Sequence, residues 1–243
     1  MAKENLTEIW VYLSASPLTG LTITLMAYSF AHRIYQASNS NPLLHPVLVS
    51  ATLLISFLLL TNTSYEDYFT GSQYIHFILG PATVALAIPM YQQMSKIKKL
   101  WLPIMVTMIS GVCVAAISSI FISRFLGASL ETQMSLAPKS VTAPVAMGIS
   151  EKIGGLPSLT AALVVITGIL GAIMGTKILH LLKLKDHSIK GIAMGITAHG
   201  IGTARAFQVS SEMGAFSGLA MALATFTTAF ILPYLVKWIG SYY

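Results

Sequence analysis

The amino-acid sequence predicts an all-α, polytopic integral membrane protein: about six full transmembrane helices and two short broken or re-entrant segments, with a possible inverted repeat. Three observations carry this expectation. Of 243 residues, 55% are hydrophobic and 9% charged, whereas a soluble domain carries about 25% charged residues. Uncharged runs reach the roughly 20 residues that cross about 30 Å of hydrocarbon as a helix. Between them lie two segments too short to cross and rich in Pro, Gly, Ser and Thr. The whole chain, 1–243, reads as a single integral membrane domain.

Taken in order, the spans are Ile9–Ala31, Leu43–Thr61, Ile75–Met94, Leu100–Ser123, Ile153–Thr176 and Met213–Val236. The N-terminus, MAKENLTEIW, has acidic residues where a signal peptide would be basic, so the first apolar run is expected to stay as an anchor. Positive charge clusters at Lys96/Lys98/Lys99 and at Lys183/Lys185/Lys190, and the positive-inside rule makes both loops cytoplasmic. Counting back from the first puts Glu66 and Asp67 outside and Arg33 inside. Counting forward imposes a parity constraint, because Leu100–Ser123 and Ile153–Thr176 already connect one cytoplasmic loop to the other. Nothing between them can cross.

The segment between them reads SLAPKSVTAPVAMGIS (Ser135–Ser150). Its uncharged part, Ser140–Ser150, covers only about half the hydrocarbon as a helix, so it should enter and turn back. A second short segment, Gly191–Ala204, reads GIAMGITAHGIGTA. Non-helical backbone at membrane depth survives only against protein or a water-filled cavity. Short, Gly- or Pro-interrupted segments in two parts of a chain point to a transporter's midplane site. The pair is expected to enter from opposite sides. Pro81-Ala-Thr83-Val84 and Pro138-Lys-Ser140-Val141 share a P-x-[ST]-V pattern that suggests a duplication.

Charge placement narrows the function. The acidic residues Glu4, Glu8, Glu66, Asp67, Glu131, Glu151, Asp186 and Glu212 all fall at or between the ends of apolar runs. An intramembrane hydrolase or carboxylate-based proton relay would place one inside a span, so no enzyme is expected. Cys113 is the single cysteine, which excludes an intrachain disulfide and a cysteine-based metal cluster; no metal and no cofactor are expected. Net charge is +6, but the basic residues are scattered at span ends, so nucleic acid is not an expected partner.

The ionisable groups of the short segments are Lys139, His199 and Arg205. A cationic lining implies an anionic guest. A half-helix starting near Ser140 or Thr142 would add its positive dipole end. Hydroxyls of Ser140, Thr142, Thr197 and Thr203 can donate, and glycines at 195, 200 and 202 let the backbone approach a ligand. Each residue also has a structural reading: Lys139 snorkelling to the interface, His199 bonded to a neighbouring helix's carbonyl, Arg205 a topology charge.

The stretches LAPKSVTAPVAMGISEKIGGLPSLTA (136–161), TAHGIGTARA (197–206), EMGAFSGLAMALA (212–224), GPATVALAIPMYQQ (80–93) and NPLLHPVL (41–48) resemble the LrgB/CidB family of bacterial membrane proteins. The resemblance implies a holin-like or antiholin-like protein of the bacterial inner (cytoplasmic) membrane, tied to murein hydrolase control and lysis, with an LrgA/CidA-like small membrane partner. The family also includes the plastidial glycolate/glycerate translocator, and bacterial members are associated with pyruvate uptake. A carrier of small carboxylate anions follows: Lys139 and Arg205 neutralise the carboxylate, Ser140, Thr142 and Thr203 donate hydrogen bonds, Gly200 permits close approach, and His199 orients the anion or carries a proton. Ala143 departs from the family pattern, which has threonine there, and removes one hydroxyl. A homo-oligomer is expected. The runner-up is a non-transporting regulator of lysis whose glycine-rich segments are packing surfaces.

Overall fold

The structure, a computed structural model, describes residues 17–38 and 44–240. Among them it holds helices and no strand. Among the described residues, four helical stretches are long and apolar enough to cross a membrane: Tyr65–Gln92, which is interrupted at Leu86, Trp101–Phe125, Pro157–Leu181 and Ser211–Ile239. The described residues fall into two compact units, divided between Ala85 and Leu86.

The first unit contains α1 (Pro17–Ala37), α2 (Pro46–Thr61) and α3 (Tyr65–Ala85). Residues 9–16 of the first expected span, and with them the N-terminal anchor, lie outside the described residues. The third helix starts at Tyr65 rather than Ile75. Ser64 supplies the reason: its Oγ accepts from the Asp67 N–H at 3.1 Å and donates to the Asp67 carboxylate at 2.7 Å, a capping arrangement that puts Glu66 and Asp67 on the positive end of the helix dipole. Thr24 of α1 and Tyr68 of α3 share a hydroxyl hydrogen bond of 2.7 Å. Pro81 sits inside α3, whereas Pro138 lies outside any helix. The P-x-[ST]-V pattern therefore does not mark equivalent positions, and that duplication is not seen.

The second unit comprises α4 (Ala87–Gln92), α5 (Met94–Lys99), α6 (Trp101–Phe125), α7 (Leu130–Leu136), α8 (Ala143–Ile153), α9 (Pro157–Leu181), α10 (His187–Val209) and α11 (Ser211–Gly240). Between α6 and α9 the chain makes a hairpin, with α7 and α8 as arms and residues 137–142 as tip. Its mouth is tied where α9 begins. Ser135 Oγ accepts from the Leu156 N–H at 2.8 Å, and Thr160 Oγ1 lies 2.7 Å from Ser150 Oγ and 3.0 Å from the Ser135 carbonyl. Gly154, with φ 86° in the left-handed region, ends α8 and lets the chain turn into α9. The sequence placed the next span from Ile153; this turn delays it to Pro157, the first helical residue.

The second hairpin is α10 itself. A straight helix of 23 residues would separate its ends by about 33 Å. Yet His187 Nδ1, at its start, is 2.9 Å from the hydroxyl of Ser210, just past its end. The helix folds back at His199, whose φ of 40° and ψ of −132° break it into two arms.

Core packing shows that the hairpins come from opposite ends. Ile104, Met108 and Val112 in the first half of α6 pack with Ile192 and Ile196 of α10 and with Phe216 and Ala220 of α11. Ala116 and Ile120 in its second half pack with Met134 and Ala137 beside the first hairpin, and with Leu232 and Ile239 of α11. Each hairpin therefore fills half the length of the α6–α11 pair. Parity is satisfied, as expected for two re-entrant segments.

Candidate functional site

Both tips reach the middle of α9. Ala143 begins α8, with Thr142 as its N-cap and Pro144 in its first turn, and the Thr142 side chain makes no cap hydrogen bond. Val141 and Ala146 pack on Val164. From the other end, the buried His199 ring places Nε2 2.9 Å from the Val164 carbonyl. Because a carbonyl only accepts, Nε2 carries the proton. The ring lies against Gly168, where an added Cβ would sit 2.7 Å from Cε1 and 2.8 Å from Nε2. Glycine is required there by contact.

A φ of 40° at a histidine is backbone strain, held only where surrounding contacts over-determine it. Thr203 provides one such contact. Its hydroxyl donates to the His199 carbonyl at 2.8 Å, which uses its single proton. Ser217 of α11, 2.9 Å away, must then donate to Thr203 Oγ1. Gly191 and Gly195 seat the incoming arm on α11: an added Cβ at Gly195 would collide with the Ser217 carbonyl and lie 2.7 Å from Ala220 Cβ.

Beside the tips is a groove of about 580 Å³ lined by Lys139 and Ser140 of the first hairpin, Thr167 to Leu179 of α9, and Ala193, Met194 and Thr197 of the second hairpin. A second, smaller void of about 10 Å³ lies between the tips, touched by Ser140, Val141, Ile196 and Thr228. Among the described residues no carboxylate pairs with Lys139; the ion pairs there are made by Lys96. The half-helices that start at Ala143 and after His199 both direct a positive dipole end to this depth. The arrangement can hold an anion against one ammonium and the Ser140 hydroxyl, beside the N-terminus of α8. Among the described residues, no group of three or more His, Cys, Asp or Glu side chains comes together.

The LrgB-like family matches residues 24–238. The chain belongs to that family. It is 36% identical over 220 residues to the uncharacterised protein YwbG of Bacillus subtilis, covering 90% of this chain and 97% of that protein. It is 33% identical over 225 residues to the holin-like protein CidB of Staphylococcus epidermidis, covering 93% and 97%. It is 30% identical over 225 residues to the antiholin-like protein LrgB of Bacillus cereus, covering 93% and 98%. No solved structure matches.

In this LrgB-like chain the residues singled out by sequence separate into groups. Lys139 and Ser140 line the groove, with Thr197 opposite. Thr142 caps α8, half-buried at the same tip. His199 and Thr203 are buried behind the second tip and shape it. Gly200 is exposed, and its nearest neighbour to an added Cβ is Met221 Sδ at 3.9 Å, so no close approach requires glycine there. Arg205 lies on the returning arm, where Nη1 donates to Gln208 Oε1 at 2.8 Å; it does not line the groove.

Thr167 was missed. It lies inside an apolar span, but the small residues Thr160, Thr167, Gly168, Gly171 and Gly175 recur on one face of α9, and that period was legible. Also missed was a cluster at the mouth of the second hairpin. Lys96 Nζ is 2.7 Å from Glu212 Oε1 and 3.2 Å from Asp186 Oδ2, and 5.8 Å above the Phe216 ring. Asp186 also caps α10, accepting from the Ser188 N–H at 2.7 Å and from the Ser188 hydroxyl. The Ser188 hydroxyl first, then Lys96 and the backbone N–H groups, holds the Asp186 carboxyl at about 2. Hydrogen bonding to Glu212, with Asp186 beside it, raises Lys96.

Proposed function

We propose that this LrgB-like protein carries small monocarboxylate anions of the pyruvate, glycolate and glycerate class across a bacterial cytoplasmic membrane, and that it is a carrier rather than an enzyme. The observation that supports this is Lys139. It sits at a hairpin tip beside the middle of the apolar helix α9, on an open groove, with no carboxylate partner among the described residues. A cation in low dielectric is costly unless water or an anion meets it, so a binding site is a physical use for it and a packing surface is not. Lys139 neutralises the carboxylate, Ser140 donates a hydrogen bond, and the N-terminus of α8 adds its dipole; the Thr197 hydroxyl donates to the Ala193 carbonyl at 2.7 Å and serves the groove only as a polar wall. His199 and Thr203 hold the second tip in its folded-back form.

The test is uptake of labelled pyruvate, glycolate and glycerate into proteoliposomes by the native chain and Lys139→Gln. The expected result is a KM raised tenfold to a thousandfold, since loss of a charged partner costs about 1.5–4 kcal/mol. A correctly inserted Lys139→Gln protein with native KM refutes the role.

A second reading is favoured by the names of two relatives, a holin-like and an antiholin-like protein. In it the chain regulates lysis by associating with an LrgA/CidA-like small membrane protein or with copies of itself. Gly191 and Gly195 support close helix packing, but they use it inside the chain, on α11. Co-purification with such a partner, unaffected by Lys139→Gln, is the outcome that favours regulation.

A further inference from the structure

We infer that the site accepts monocarboxylates with an aliphatic chain, and that three-carbon acids occupy only its head. This rests on the carrier reading above. The groove measures about 580 Å³. At the roughly 30 Å³ that a water-sized heavy atom takes in a liquid, the six or seven heavy atoms of pyruvate or glycerate fill at most about 210 Å³. The remainder is apolar. Val141, next to Ser140, packs on Val164, which puts the first tip beside the Thr167 end of the stretch, and the groove then follows α9 from Thr167 to Leu179, about 18 Å at helical rise.

Along that length the wall is Leu170, Met174 and Ile178, one helical turn apart, with Met194 across from them. No ionisable side chain lines this stretch. One cation at the end of an apolar trough matches one carboxylate at the end of a hydrocarbon chain, and methionine side chains adapt to chains of different length. A hydroxy acid with polar groups at both ends would leave its far end unpaired there. Leu170, Met174 and Ile178 are about half exposed, so the trough is open along one side.

The test uses the purified full chain in lipid nanodiscs and displacement of labelled hexanoate by acetate, butanoate and hexanoate, short enough to stay largely in water. A fully buried methylene contributes about fourfold in affinity, and one buried on a single side about twofold. The expected result is therefore a gain of two- to fourfold per methylene. Lys139→Gln should weaken every acid by a similar factor. Ala193→Trp, which fills the trough, and Leu170→Ser, which makes its wall polar, should each flatten the chain-length slope, so the test does not depend on one variant folding.

A flat series that still depends on Lys139, or Lys139-dependent pyruvate uptake without hexanoate binding, refutes the aliphatic inference and leaves the carrier reading standing. A slope that persists unchanged in all three variants marks partition into lipid and refutes the inference. Absence of Lys139-dependent binding and uptake for every acid refutes the carrier reading and the inference with it.

Discussion

Replacing Gly168 with alanine tests the geometry of the second tip. The added Cβ would lie 2.7 Å from His199 Cε1 and 2.8 Å from Nε2, well inside van der Waals contact, so the ring has to move. Moving it breaks the 2.9 Å hydrogen bond to the Val164 carbonyl. The Val164 carbonyl keeps its helical bond from the Gly168 N–H, but the buried His199 Nε2–H is left without an acceptor, which costs about 1–3 kcal/mol, and overpacking adds about 1–3 kcal/mol. Higher helix propensity returns somewhat less than about 1 kcal/mol. The net is a destabilisation of about 3 kcal/mol, a fall of roughly 6–12 °C in thermal midpoint if the chain behaves as others of its size. Gly200→Ala is the control: it has the same chemistry, and Met221 Sδ is its nearest contact at 3.9 Å, so it should be neutral or stabilising by a few tenths of a kcal/mol. The assay is thermal unfolding of purified protein in detergent. A Gly168→Ala protein as stable as the native chain, or a Gly200→Ala protein as damaged as Gly168→Ala, would show that the His199 ring does not rest against Gly168.

Thr203→Val keeps shape but removes the hydroxyl that joins the His199 carbonyl to Ser217; a loss of about 1–3 kcal/mol of stability is expected, with pyruvate KM nearly unchanged, and a large KM effect would place Thr203 on the ligand instead. The Lys96 cluster should tolerate mild acid. The Asp186 carboxyl is depressed from 3.8 to about 2, so its contribution is full above about pH 4 and is lost as pH falls through about 2. Proteolysis at the 183–186 loop should therefore stay constant from neutrality to pH 5 and increase in Lys96→Met, and a rise at pH 5 in the native chain counts against the cluster. For orientation, cysteines at Glu66 and Glu151 should react with an impermeant thiol reagent from outside intact cells, and cysteines at Lys98 and Lys185 should not; labelling of position 151 from the cytoplasm alone would reverse the hairpin assignment.

Much of the architecture was set by the sequence alone, because membrane solvation leaves few options. Uncharged runs near 20 residues become helices, and a stretch such as Ser140–Ser150 between two spans of fixed parity has to turn back. Helix ends were less legible: Ser64 begins α3 ten residues before the apolar run, and Gly154 delays α9, because local capping rather than hydropathy decides a boundary. The site divided the same way. Lys139 stood out as a candidate from its residue type and its place in a broken segment. Only the tertiary structure separated Lys139 and Ser140, which face the groove, from His199 and Thr203, which hold a backbone turn, and from Arg205, on the far arm beside Gln208. The physical reason is that composition and spacing report how much free energy a polar group needs to recover at membrane depth. Which neighbour supplies it, a carbonyl of α9, a hydroxyl of α11 or a ligand, depends on the packing of helices distant in sequence.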